Sequence, residues 1–173
     1  MKNIIFCLVI FMFANEVLGQ ESAAKKENQI FPERCLGTWK GTMMIYFRGE
    51  LKDSVTVEFT AAKISKPNEY IWKTDYISAI KPITKDYKLL IDPENKHEFI
   101  IDEGDGVQLK TYVFANKMYS LFEVDGIYLT STTEIVRDSL IFEVTSGKKH
   151  TSTEGVQNFS FDVLQRVVLQ RME

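Results

Sequence analysis

Apolar residues return at every second position along most of this chain, and the runs that carry them stop at short intervals on glycine, asparagine, aspartate or proline. That period places successive side chains on opposite faces of a strand, so it predicts half-buried antiparallel strands rather than helices. In the run 54–61, Val55, Val57 and Phe59 share one face, while Thr56 and Glu58 share the other. The same alternation predicts ten strands, at about 38–47, 54–61, 70–76, 86–92, 97–102, 107–114, 117–124, 127–136, 139–145 and 158–170. Between them lie Arg48-Gly49-Glu50, Glu103-Gly104-Asp105-Gly106, Ala115-Asn116, Asp125-Gly126 and Arg137-Asp138, which suit the tight turns of hairpins. Only 78–85 offers a helical turn, and Pro82 limits it to one.

Strands this closely spaced leave no room for crossover helices, so the architecture is a sandwich or a barrel. Nearly every connection is hairpin-length, which favours an up-and-down meander. Ten meandering strands remove their two exposed edges by closing on each other. The expected fold is therefore all-β, an antiparallel up-and-down meander closed into a barrel.

The beginning of the chain follows a different plan. Lys2 precedes an apolar stretch from Ile4 to Ala14, and Val17 and Gly19 supply small or modest residues ahead of Gln20. This is the three-part pattern of a secretory signal peptide, with cleavage expected after Gly19 and a secreted or periplasmic destination. The apolar stretch is too short to span a bilayer, and no later run reaches the roughly 20 apolar residues a spanning helix needs. Residues 20–34 read as a flexible polar leader, and residues 35–173 as one barrel domain, large enough to fold without disulfides. Cys7 departs with the leader, and Cys35 reads as a small apolar residue at the start of the first strand. The formal charge of −3 and the scattered lysines exclude nucleic acid as an expected partner.

On the first strand stands Gly37-Thr38-Trp39-Lys40-Gly41. The Gly37-Thr38-Trp39 triplet resembles the Gly-x-Trp signature of lipocalins and other calycin barrels, and the five-residue run is similar to the start of nitrobindin-like barrels. The resemblance implies a barrel whose tryptophan closes one end under an arginine from a late strand. Arg166 and Arg171 are the candidates for that arginine, and a guanidinium packs well on an indole face. The chain departs from secreted lipocalins in lacking paired cysteines, and from nitrobindin-like proteins in lacking a well-placed histidine for haem.

No residue pattern selects a reaction. His97 begins a predicted strand, and His150 sits in a polar loop, so neither points to a metal or haem and no cofactor is expected. The acidic run Asp102-Glu103-Gly104-Asp105-Gly106 lacks the ligand spacing of a calcium loop and reads as hairpin chemistry. No Gly-x-Ser-x-Gly elbow is present. Glu123, Glu134 and Glu143 are carboxylates that a barrel interior has room for, but their spacing does not select them. Trp72, Tyr76, Tyr87, Tyr112 and Phe122 are the candidates to line a cavity. The expected function is non-catalytic binding of a small hydrophobic or amphipathic ligand. The alternative is an interaction module of the cell envelope whose barrel is filled by its own side chains.

Overall fold

A computed structural model describes residues 29–150 and 154–173. The residues read from sequence as an export leader, and most of the polar segment behind them, lie outside the described residues. The chain divides into two units, residues 1–34 and 35–173. A helical turn, α1 (Phe31–Cys35), precedes the strands. It occupies a segment read from sequence as a polar leader, whereas the turn expected at 78–85 is not helical.

The second unit is a closed barrel of ten antiparallel strands in meander order, β1 (Gly37–Phe47), β2 (Glu50–Lys63), β3 (Glu69–Ile77), β4 (Ile83–Ile91), β5 (Glu98–Gly104), β6 (Val107–Phe114), β7 (Lys117–Val124), β8 (Ile127–Val136), β9 (Ser139–His150) and β10 (Asn158–Arg171). Closure is made by β1 on β10, with Trp39 opposite Arg171 and Met44 opposite Arg166. Four hairpins turn through a non-glycine residue with positive φ, at Arg48, Asp105, Ala115 and Asp125, and a fifth through Arg137. Such backbone matches the right-handed twist of paired strands.

Three strands are longer than alternation predicts. β2 begins at Glu50, β4 at Ile83, and β9 runs on to His150 through residues read from sequence as loop. Their extra residues are mostly polar and exposed, and the apolar ones among them, Leu51 and Ile83, are exposed too, so no buried apolar period marks them. The ladder holds them instead: Asn158 pairs with His150, and Ser160 with Lys148. Gly147 makes this close approach possible, because a Cβ there would lie 1.8 Å from the Ser160 carbonyl oxygen.

Odd strands start and even strands finish at the end of the barrel that holds Trp39, and the buried side chains gather there. Trp39, Met43, Phe59, Ala61, Leu89, Phe99, Val113, Met118, Ile135, Leu140, Val167 and Leu169 are all at most 6 % exposed. Toward the other end the strands grow exposed, apolar side chains such as Leu51, Ile77 and Val124 among them. The outer wall carries charge in mid-strand, with cross-strand pairs Lys40–Glu58 at 3.6 Å, Lys117–Glu134 at 3.3 Å and Arg166–Glu143 at 3.4 Å. Among the described residues, no helix is long and apolar enough to cross a membrane.

Candidate ligand cavity

The stopper at the filled end is built from the first and last strands. Trp39 is 2 % exposed, and its indole N–H donates to the Cys35 carbonyl at 2.7 Å. The Arg171 guanidinium stacks 4.1 Å from the Trp39 ring centroid and donates to the Leu36 carbonyl. Gly37 lies beneath it with φ +116°, and a Cβ there would meet Arg171 Nη1 at 2.6 Å. Of the two candidate arginines, Arg171 covers the tryptophan. Arg166 falls on the opposite parity of β10 and points outward to Glu143.

Above this floor the interior is hollow. A cavity of about 490 Å³ is lined from nine of the ten strands, within the range of small-molecule sites. Its lower wall is apolar and aromatic, with Phe59 edge-on to Trp72 at 4.8 Å between centroids, and Ile101, Leu140, Phe142 and Leu169 around them. It reaches solvent at the end away from Trp39, where Lys85 and Val124 are exposed. A barrel filled by its own side chains does not describe this interior.

Of the residues singled out from sequence, Trp72, Tyr76, Tyr87 and Phe122 lie in the cavity wall. Tyr112 does not. It lies between the buried Thr111 and Val113 on β6, so it points outward, where its hydroxyl bonds the Glu98 carboxylate at 3.0 Å. Both parities of β6 carry apolar residues, Leu109 and Val113 on one and Tyr112 and Phe114 on the other, so alternation alone selects no inner face.

A polar group clusters on one side of the mouth. Tyr76 from β3, Lys85 and Tyr87 from β4 and Glu103 from β5 all face the cavity. Lys85 Nζ sits 5.5 Å from the Tyr87 ring centroid. Hydrogen bonding to Tyr87 holds the Lys85 ammonium above its ordinary pKa, with the charge of Glu103 adding to the effect. Burial pushes the Tyr76 phenol up to about 12, helped by Tyr87, and burial likewise raises Tyr87. These groups keep their protons near neutrality and present hydrogen-bond donors to whatever lies in the cavity. Ser120, Ser131, Thr133 and Gln165 add smaller polar contacts on other walls.

Lys85 and Glu103 escape the sequence reading because one falls before the strand predicted at 86–92 and the other inside an apparent turn. Parity finds both: Leu89, Tyr87 and Lys85 share one face of β4, and Phe99, Ile101 and Glu103 share one face of β5. The carboxylates considered for the interior point elsewhere. Glu134 and Glu143 are paired on the outer wall, and Glu123 is exposed. His97 lies in the connection before β5 and His150 at the end of β9, both outside the cavity wall. Among the described residues, no three His, Cys, Asp or Glu side chains come together as a metal site.

No family model and no curated protein matches the sequence. Solved structures do match in shape. The S-type phycobiliprotein lyase of Guillardia theta superposes with a TM-score of 0.62 at 7 % identity, covering 87 % of this chain and 97 % of its own. A protein of unknown function of the DUF3598 family from Nostoc punctiforme superposes with a TM-score of 0.59 at 12 % identity; the match covers 82 % of this chain and about half, 49 %, of that one. At these identities the likeness is one of fold: this chain forms a closed, ten-stranded antiparallel barrel similar to calycin-like barrels.

Proposed function

We propose that this protein is an exported, lipocalin-like carrier that binds a small hydrophobic or amphipathic molecule in its barrel and performs no chemistry on it. The observation that carries this reading is the cavity of about 490 Å³, apolar in its depth and polar on one side of its mouth. An apolar body gains roughly 25 cal/mol per Å² on leaving water. The donors of Tyr76, Tyr87 and Lys85 satisfy a polar end without dragging it into the apolar floor. Export rests on the leader pattern of residues 1–19.

Non-catalytic binding is favoured by the direction of the pKa shifts. A general base works best near the operating pH, whereas Lys85, Tyr76 and Tyr87 are moved upward, away from it. The neighbouring barrel is named as a lyase, so catalysis is the reading to be tested against. Titration of the protein with environment-sensitive apolar fluorophores, followed through Trp72 emission, reads occupancy of the cavity. Val144→Trp fills space from β9 and is expected to weaken binding at least tenfold with little change in stability. Equal binding by wild type and Val144→Trp would remove the cavity as the site.

A further inference from the structure

The cavity wall carries its charge on one side. Among the described residues that line it, Lys85 on β4 and Glu103 on β5 are the two that are charged at neutral pH. Thr74 stands opposite Lys85 on β3, with Tyr76 and Tyr87 beside them. The walls supplied by β6–β10 add no charge: Phe122, Leu129 and Val144 are apolar, and Ser131 and Gln165 are neutral. The acids nearest this corner belong to the outside of the barrel. Asp75, Asp86 and Asp102 fall on the opposite parity of β3, β4 and β5, and Asp75 is held by Lys73 at 2.8 Å and by the Thr84 hydroxyl at 2.6 Å. Lys81, Asp105, Glu123 and Asp125 do not line the cavity either.

Lys85 and Glu103 are joined through Tyr87. The Lys85 ammonium donates to the Tyr87 hydroxyl, and that hydroxyl donates to the Glu103 carboxylate, so the phenol sits between cation and anion. One bond each leaves both charges open to a further partner, since an ammonium has three donors and a carboxylate about four acceptor sites. A ligand with a single negative charge is attracted by Lys85 and repelled by Glu103, and one with a single positive charge meets the reverse balance. A head that carries both charges is attracted by each side chain.

Building on the carrier function proposed for the barrel, we infer from this separated pair that the ligand is an amphiphile with a zwitterionic head. Its anionic group meets Lys85, its cationic group meets Glu103, and its tail lies in the apolar floor. Strand positions order the two charges. β4 begins at the mouth and β5 ends there; Tyr87 and Glu103 each lie one residue beyond the Lys88–Asp102 pair, and Lys85 is two residues nearer the mouth than Tyr87. The cationic group therefore comes next to the tail and the anionic group outermost, as in an alkyl betaine.

The test is isothermal titration calorimetry at neutral pH on protein purified from its own host and stripped of retained molecules on a hydrophobic resin. The probes are monomeric decyl amphiphiles: the betaine N-decyl-N,N-dimethylglycine, its single-charge counterparts decanoate and decyltrimethylammonium, and uncharged decanol. The betaine is expected to bind tightest, by about fivefold or more over each of the others. Lys85→Met is expected to make decyltrimethylammonium the tightest of the series, and Glu103→Gln to make decanoate the tightest. A barrel merely loosened by substitution weakens all of them alike, so opposite switches in the two variants report the charges themselves. Any other ligand binding tightest to the wild type, or either folded variant keeping the wild-type order, overturns the inference. Equal binding of the whole series overturns it while leaving the barrel a carrier, whereas no binding by any member overturns the carrier function as well.

Discussion

Replacing Gly37 with alanine separates two demands that the stopper places on one residue. At φ +116° an alanine adopts backbone open almost only to glycine, a strain of about 1–3 kcal/mol. Its Cβ would also lie 2.6 Å from Arg171 Nη1. That nitrogen ends a flexible side chain, so the clash is relieved by moving the guanidinium, and the cost is what the guanidinium holds. Loss of its hydrogen bond to Leu36 and its stacking on Trp39 is worth about 1–2 kcal/mol at this exposed position. Restricting the unfolded chain returns about 0.4–1 kcal/mol, which leaves a net destabilisation of about 1.5–4 kcal/mol. Gly49 supplies the comparison: its φ is +84° but nothing lies within 4 Å of its added Cβ, so Gly49→Ala costs about 1 kcal/mol or less after the same offset. Urea unfolding followed by circular dichroism gives both values. In the double variant Gly37→Ala/Arg171→Ala the contact part is counted once, so the loss is smaller than the sum of the two single losses by about 1 kcal/mol. Gly37→Ala within about 0.5 kcal/mol of wild type, or strict additivity with Arg171→Ala, would refute this account of the stopper.

Other consequences are measurable by the same unfolding assay. Tyr76 has its phenol raised from 10.0 to about 12 in the folded chain, so the folded state holds the proton more tightly; its contribution is intact below pH 10 and lost as pH rises toward 12, about 2–3 kcal/mol in all. Tyr76→Phe is expected to remove that part of the alkaline fall, and an unchanged slope contradicts it. Arg171→Ala should cost about 1–2 kcal/mol, and Arg166→Ala, which breaks only an exposed pair with Glu143, less than about 1 kcal/mol; the reverse order would show the wrong arginine over Trp39. Leu140→Ala, at 1 % exposure in the floor, should cost about 2–5 kcal/mol, while the half-buried Leu129 near the mouth costs about 1.5 kcal/mol or less on the same substitution. Similar losses at the two positions would mean the interior is not graded from packed floor to open mouth.

Much of this architecture is legible in the sequence because the period-two code is strict wherever one face is buried. The strand at 54–61 is recognised from Val55, Val57 and Phe59, and the hairpin turns from residues that tolerate positive φ. The code fades where burial fades. Lys52, Lys85 and the run Gly147-Lys148-Lys149-His150 belong to strands held by their ladders, with little apolar contrast to announce them. The cavity suffers from the same loss: its floor is read from aromatic residues, but Lys85 and Glu103 lie on strand ends that look like loop. Tyr112 fails for another reason, since β6 is apolar on both faces and only its pairing with β5 and β7 decides which one turns inward. Trp39 and its glycine are visible because a close contact leaves few choices of residue, whereas the choice between Arg166 and Arg171 depends on the parity of β10 relative to β1.

The central claim is that the barrel carries a small molecule in the space above Trp39. Native mass spectrometry of the protein purified from its own host, under gentle desolvation, tests it most directly. The account predicts a retained small molecule, released when the protein is unfolded and missing from Val144→Trp. A mass equal to the bare chain for the wild type, together with no thermal shift across a panel of lipids and tetrapyrroles, would contradict it.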